Sequence, residues 1–448
     1  MKTSKCPPRL TRGLPKEGRR KVSAAYACAF RHLSSIRRRT GASYAKHGTN
    51  IALVLREITS DPGLLCVALL HDIFLTPEGE RVLASSALTR EERRLARMMH
   101  ALRRLHIDAK THDLGKVIAC FSSDERLIVL RMAHRLNDVR NLRDFTPHLR
   151  RAIALETLHM YTGIAGRLGM HKWRHEMEET CFRFLHSKIA RSLEKKMRQR
   201  QPLDLLCITQ AKRLIRRSLR EKGIKCHTNH RIKGLYSTYR KMTLKNRSFE
   251  ELTDRLALRL IVPSVEDCYR TLGIVHTLFH PIPGKLKDYI GAPKENGYRS
   301  IHTVVYPLRG VTEQPMEIQI RTGDMHAECE LGIARHTDYK HYLNTLHRSS
   351  VRVNLFKNLL TLQAETRSPR QFANALRHYF DDGHIAIFDA KNNLYHMKKP
   401  VTALEFIERM QNGAKKRAPA SFRVNGRIVP GTIVLQDGDT VEAVSRRR

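Results

Sequence analysis

Two stretches of this 448-residue chain hold side chains whose types and spacing could do chemistry. One runs from Lys285 to Thr322, KLKDYIGAPKENGYRSIHTVVYPLRGVTEQPMEIQIRT. Its strand-like parts, IHTVVY and MEIQIRT, flank a loop rich in Lys, Gly, Pro and Asn. The other lies upstream: RIKGLYSTYRK over Arg231–Lys241, then ELTDRLALRLIV over Glu251–Val262. Together they offer cations, a tyrosine of a size to cover a purine, and carboxylates that include the well-separated Asp254 and Glu317. Cations neutralise polyphosphate, and carboxylates hold a hard divalent metal or take up a proton. The set therefore suits two nucleotides and a metal. Arg231, Lys233, Ser237 and Lys241 recur at spacings of two, four and four. A helix starting at Lys233 would stack Lys233, Ser237 and Lys241 on one face. That face lines a polyphosphate or is simply solvated.

The elements that must position these residues change character along the chain. From about 22 to 195 apolar residues recur every three or four positions, as in NIALVLREI, LLCVALLHDI and RLIVLRMAHRLNDVRNL, which predicts helices. AIALETLHMYTGIAGRLGMHKWRHEMEETCFRFL continues this as a helical connector. Basic KKMRQRQP marks a boundary near 200, and 203–225 reads as one more helix closed by Gly223. From 226 to about 340, LALRLIV, IHTVVY and MEIQIRT read as strands of a central sheet, with DCYRTLGIVHTLF a helix. Residues 341–383 read as a polar helical linker. From 384, IAIFDAKNNLYHM reads as a hairpin around 391–393 and TALEFIERMQNG as a helix with Thr402 at its N-cap and Gly413 after it. SFRVNGRIV holds an Asn-Gly turn, and GTIVLQDGDTVEAV supplies a last strand. The β-β-α-β-β order is that of a small β-grasp module.

Composition narrows the function classes. The net charge is +39, from 82 Lys and Arg against 43 Asp and Glu. Such an excess attracts polyanions, whether RNA, ribosome or nucleotide phosphates. The basic residues are spread along the chain, and one Trp and few aromatics argue against a base-stacking module. No run of about 18 apolar residues exists, which argues against a membrane span. The basic N-terminus has no apolar core and is read as a solvated tail rather than a secretory signal. Nine scattered cysteines without a CxxC pair fit reduced thiols in the cytoplasm rather than a structural zinc site.

The segments at 231–241, 251–262 and 285–322, in that order, resemble the synthetase domain of the RelA/SpoT homologue family, which makes (p)ppGpp. The similarity extends from about residue 20 to the end. It implies a multidomain α+β chain: a basic tail (1–21), an all-α HD-type domain with connector helices (22–200), a nucleotidyltransferase-like α+β synthetase domain (201–345), a helical linker (346–383) and a β-grasp TGS domain (384–448). The implied reaction moves the β,γ-pyrophosphate of ATP to the 3′-hydroxyl of GDP or GTP. In it, Asp254 and Glu317 hold Mg²⁺, and Glu317 also orients or deprotonates the hydroxyl. Arg231, Lys233, Ser237 and Lys241 bind ATP. Lys287, Lys294, Asn296, Tyr298 and His302 surround the acceptor, with Tyr298 stacking on guanine. Arg321 reads equally as a phosphate clamp or a strand-end ion pair, and His326 with Glu330 as helix structure. Lys285-Leu286-Lys287-Asp288 is of the basic type seen in bifunctional members, with Lys285 in place of Arg.

The helical domain resembles the family's hydrolase, in which His…His-Asp…Asp binds Mn²⁺. Arg38, Gly41, Tyr44 and His47 match its first motif, and His71 and Asp72 its second. His134 stands where the fourth ligand is Asp, and Leu75-Thr76 replace an acidic pair. The set His47, His71, Asp72 and His134 is thus a degenerate HD site. It carries less negative charge and suits borderline metals better than Mn²⁺, so hydrolysis is expected to be impaired. In the TGS-like part Gln411 replaces a histidine that contacts tRNA in ribosome-bound members, and the sequence stops at Arg448. Ribosome or tRNA contact is therefore expected to be weak. Two other readings compete: a bifunctional enzyme that keeps metal-dependent hydrolysis through His134, and a non-catalytic RNA- or ribosome-binding regulator.

Overall fold

The computed structural model describes residues 5–104, 124, 126–245, 248–249, 252, 256–294, 298–306, 315–331, 384–390, 394–398, 400–410, 421–436 and 439–444. The linker 341–383, the loop 391–393 and Gly413 lie outside them.

Helices α1 (Lys16–Leu33), α2 (Tyr44–Leu55), α3 (Pro62–Leu70), α4 (Arg90–Arg104) and α5 (Arg126–Arg140) share a core that extends from Leu10 to Cys181. Local chemistry starts two of them. Ser43 accepts a hydrogen bond from the Lys46 amide, and Asp61 accepts one from the Gly63 amide with Pro62 in the first turn. α3 is buried from Gly63 through Leu70, so it can only be central. α2 lies close against it because residue 48 is glycine. A Cβ there would stand 3.0 Å from the carbonyl oxygens of Ala68 and Leu69. α5 is buried from Leu127 to Val139, yet it carries Arg131, His134, Arg135, Asn137 and Asp138 inside. Buried polar groups on such a scale mark a site rather than a packing element.

The expected connector is broken into α6 (Pro147–Glu156), a π-helical turn at Thr157–Tyr161, a short helix Thr162–Arg167 and α7 (His171–Leu185). Gly169 turns the chain before α7 with φ at +71°. Next, α8 (Ser187–Glu221) runs 35 residues with Pro202 inside it. The expected fresh helix from 203 is therefore not seen. A buried stripe through Ala190, Leu193, Asp204, Ile208 and Ala211 spans both sides of the proline, so packing carries the helix across a residue that propensity alone would put at an end. Gly223, at φ +72°, follows the helix end as expected.

A five-stranded sheet follows: β1 (His227–Ile232), β2 (Leu256–Val262), β3 (Lys287–Asp288), β4 (Ile301–Val305) and β5 (Met316–Thr322). The order is β1-β2-β5-β4-β3, with β2 and β5 parallel and the other pairs antiparallel. α9 (Leu235–Lys245), α10 (Val265–Leu278) and α11 (Gly323–Leu331) accompany it. One sheet face, with Leu258, Leu260, Ile301, Ile318 and Ile320, packs on α8 and α10 through Ile215 and Val275. Strand side chains alternate between faces, so this burial leaves Glu317, Gln319, Arg321 and His302 to the other face. β1 was not expected. HTNHRI is polar and lacks the β-branched pattern, and it is held as an edge strand by its ladder to β2.

The last described part has strands β6 (His384–Asp389), β7 (Leu394–Lys398), β8 (Ser421–Val424), β9 (Arg427–Val429) and β10 (Thr440–Val444), in the order β7-β6-β10-β8-β9 with β6 and β10 parallel. α12 (Ala403–Met410) packs Phe406 and Ile407 on this sheet. Thr402 accepts from the Glu405 amide at 3.3 Å and the Glu405 carboxylate accepts from the Thr402 amide at 2.8 Å, a capping box. Asn425 and Gly426 both have positive φ, +49° and +80°, as the expected two-residue hairpin turn requires.

Candidate functional site

The polar face of the first sheet carries a chain of hydrogen bonds. Glu317 on β5 and His302 on β4 are diagonal neighbours, since Val304 is paired with Glu317. His302 Nδ1 stands 2.9 Å from Glu317 Oε1. His302 Nε2 is 2.6 Å from the Tyr298 hydroxyl. Arg321 donates to that hydroxyl at 2.8 Å and to Gln319 Oε1 at 2.8 Å. Arginine can only donate, so the tyrosine hydroxyl donates to Nε2 and Nδ1–H donates to the carboxylate.

The charges agree with this order. Burial raises the Tyr298 phenol to about 12, so its proton stays on. Burial lowers His302 and keeps it neutral, although Glu317 pulls the other way. Burial alone would raise Glu317, but the His302 hydrogen bond, His302 and Gln319 outweigh it, with the Lys241 charge helping, and hold the carboxyl at about 2. The site thus presents an ionised, part-exposed carboxylate with a hydrogen-bonded chain behind it.

The sequence-predicted residues fall into three groups. Glu317, His302 and Tyr298 meet, with Lys241 close enough to act on Glu317. Lys294 Nζ stands 5.6 Å from the Tyr298 ring centroid. Lys287, on β3, is paired in register with His302. Arg231 is described by its backbone alone: it pairs with Ala257, which pairs with Glu317, so the three share one row across the sheet. Asp254 and Asn296 lie outside the described residues. Asp254 precedes β2, the neighbour of β5.

α9 begins at Leu235, so Lys233 precedes it and only Ser237 and Lys241 share its face. The start is fixed from outside: Glu179 of α7 accepts from the Tyr236 amide at 2.9 Å. Lys233 instead lines a cleft of about 290 Å³ with Arg183, Arg198, Glu194 and Phe249. Arg321 is neither an exposed clamp nor a strand-end ion pair; it is 1% exposed and holds Tyr298 in place. His326 and Glu330 are structural as read, both facing Arg259 of β2.

A second polar cluster lies inside the helical domain. His47 (α2), His71 (the residue closing α3) and His134 (α5) bring ring nitrogens within 4.8 Å of one another, all buried. His47 Nε2 and His134 Nε2 are 3.0 Å apart. His71 Nε2 is buried without a hydrogen bond, 3.3 Å from Asp72 Oδ2. Burial, then His134 and Arg38, lower His47 well below its usual range, and burial lowers His134 against the pull of Asp138. Three imidazoles converging on one point, two of them pushed toward the neutral form by burial and one with a ring nitrogen that makes no hydrogen bond, fit a divalent cation. Sequence reading missed Asp138. Its Oδ2 lies 3.3 Å from His134 Nδ1, and its Oδ1 3.4 Å from Arg38, whose other nitrogen meets His47 Nδ1 at 2.9 Å. The four-residue spacing from His134 was the available signal.

Comparison with known proteins covers both sites. A family model described as "Region found in RelA / SpoT proteins" matches residues 230–344, and an HD domain model matches 25–171. A probable guanosine-3′,5′-bis(diphosphate) 3′-pyrophosphohydrolase of Synechocystis is 30% identical over 95% of this chain and 57% of its own length. A GTP pyrophosphokinase of Brucella ovis is 29% identical over 97% of this chain and 59% of its own. The chain thus spans under two thirds of these relatives. Small alarmone synthetase 1 from Bacillus subtilis, solved with its product pppGpp, aligns over 39% of this chain and 99% of that one at 25% identity, with a TM-score of 0.28, too low to add weight. The order of an HD domain and a RelA/SpoT region, shared over nearly the whole chain with such relatives, places this protein in the RelA/SpoT homologue family.

Proposed function

We propose that this chain is a (p)ppGpp synthetase that transfers pyrophosphate from ATP to the 3′-hydroxyl of GDP or GTP. The observation that carries the reading is the chain Arg321–Tyr298–His302–Glu317 on the polar sheet face, ending in a carboxylate kept ionised beside Lys241. A hydroxyl attacks the β-phosphorus of ATP, its oxygen bonds to phosphorus, and AMP leaves. Its proton goes to Glu317, which His302 and Gln319 orient. Lys241 and Ser237 face the donor polyphosphate, joined by Arg231 in the family resemblance, and Lys287 and Lys294 serve the acceptor phosphates. The Tyr298 ring, fixed at its hydroxyl, offers a rigid surface to guanine. The donor set also fits Mg²⁺: a hard, ionised oxygen on Glu317, joined by Asp254 in the family resemblance, would hold it, and the ion would neutralise phosphate charge.

The three-histidine cluster favours a second activity in reduced form. His47, His71, His134 and Asp72 hold a divalent cation in this reading, while Leu75 and Thr76 offer no carboxylate to activate water, so hydrolysis of ppGpp is slow. The C-terminal sheet and helix follow a β-grasp order, which supports a TGS module and, through it, a weak ribosome or tRNA contact; Gln411 lies outside the described residues.

The test incubates purified protein with ATP, GDP and Mg²⁺ and separates the nucleotides by chromatography. Wild type forms ppGpp and AMP, and Glu317→Gln loses roughly 10²- to 10⁴-fold in rate with an unchanged circular dichroism spectrum. A folded wild type without product sinks the function, and full turnover by the Glu317→Gln variant sinks the role of Glu317.

A further inference from the structure

The helical-domain pocket has an arrangement that neither the family pattern nor the sequence spacing required. The carboxylate absent at position 134 has a counterpart one helical turn on. Asp138 and His134 lie on one face of α5, both buried. His134 Nδ1 is buried without a hydrogen bond, and Asp138 Oδ2 stands 3.3 Å away, within ion-pair reach but off the hydrogen-bond line. His134 Nε2 points the other way, at His47 Nε2. A carboxylate on one ring nitrogen fixes the tautomer and aim of the other, which is how protein metal sites orient imidazole ligands.

Arg38 completes the support. It reaches Asp138 Oδ1 with one terminal nitrogen and His47 Nδ1 with the other. Arg38 can only donate, so as the rings stand His47 carries its proton on Nε2 and gives it to His134. A cation between the rings would take the Nε2 lone pairs of His47 and His134, the His47 proton would then sit on Nδ1, and Arg38 would be left to Asp138 alone. Three imidazoles with one adjacent carboxylate, Asp72, form a nitrogen-rich donor set. Such sets suit zinc-class ions, whereas oxygen-rich sets suit Mn²⁺ and Mg²⁺.

We propose that Asp138 is the positioning residue that makes His134 a metal ligand, and that the pocket is a three-histidine centre for a zinc-class cation in preference to Mn²⁺. This rests on the reading of the pocket as a metal site and is independent of the synthetase.

The test uses the full chain stripped of metal by a chelator, then titrated with Co²⁺, Zn²⁺ and Mn²⁺. Co²⁺ reports through its visible absorption, which is intense in a tetrahedral site and weak in an octahedral one. Wild type binds Zn²⁺ and Co²⁺ more tightly than Mn²⁺ and gives the intense spectrum. Asp138→Asn weakens Co²⁺ and Zn²⁺ binding about 10- to 100-fold, and Asp138→Glu restores part of it. His134→Asp, which puts back the family's carboxylate, moves the preference toward Mn²⁺ and serves if the Asp138→Asn chain misfolds. Wild-type Co²⁺ affinity and spectrum in Asp138→Asn would overturn the role of Asp138 and leave the metal site standing. Tighter Mn²⁺ than Zn²⁺ binding by wild type overturns the selectivity. No binding of any of the three ions overturns both this inference and the metal reading beneath it.

Discussion

Glu317 shows how one residue's neighbours decide its use. Burial raises a carboxyl, but here the His302 hydrogen bond, with His302, Gln319 and Lys241 around it, holds it near 2, below its ordinary 4.5. A depressed carboxyl binds fewer protons in the folded state than in the unfolded one. Its stabilising contribution is therefore full above about pH 4.5 and is lost as pH falls toward 2. His302, also lowered, acts in the same direction: its share is present above its ordinary 6.5 and declines on acidification. Comparing wild type with Glu317→Gln, the difference in melting temperature should be largest above the upper limit and shrink as the pH is lowered through the window. A difference that grows on acidification would show that the carboxylate is not held ionised.

At the scale of elements, α7 sets the start of α9. Glu179 accepts from the first-turn amide of Tyr236, and Gly234 leaves room for that carboxylate: a Cβ at 234 would run into the His175 ring and lie 2.7 Å from Glu179 Oε1. α7 also buries Trp173, Met177 and Cys181 in the helical-domain core and places His171 edge-on to Tyr298 at 6.1 Å. Glu179→Ala should then cost about 0.5–2 kcal/mol as a lost cap and raise the KM for ATP, because Ser237 and Lys241 ride on α9. Glu179→Gln keeps an acceptor oxygen and should stay near wild type. Urea midpoints and initial rates check this, and an Ala variant equal to wild type in both would remove the cap from the account.

Across the whole molecule, basic residues outnumber acidic ones by 82 to 43. With a net charge of +39 spread along the chain, the protein should bind RNA without regard to sequence. Each neutralised phosphate adds about 0.7 to the slope of log affinity against log salt for a single strand. Filter binding with two unrelated RNAs should give similar affinities that fall steeply with salt, and Glu317→Gln should not change them. Strong preference for one RNA at high salt would instead point to base contacts. The few carboxylates are used to tie helices together: Arg140 of α5 donates to Glu176 of α7 at 2.6 and 2.7 Å and to Glu57 at 2.7 Å.

Patterns that depend on near neighbours were legible in the sequence by itself. Alternation in MEIQIRT separated Ile318 and Ile320 from Glu317 and Arg321, the three- and four-residue periods gave the N-terminal helices, and Thr402 and Asn425-Gly426 marked a cap and a turn. Such signals need only a few dihedral angles to be right. Tertiary packing decided the rest. It carried α8 through Pro202, because a buried stripe outweighs one proline, and it made polar HTNHRI a strand through its ladder to β2. It also started α9 after Lys233 through a carboxylate from α7. His47 and His134 are 87 positions apart, yet their nitrogens meet at 3.0 Å. No local spacing encodes that meeting or brings Arg38 to Asp138. It follows from Gly48 letting α2 close on α3 and from a core that buries α5 on every side, since only the folded chain repays the entropy of closing so long a loop.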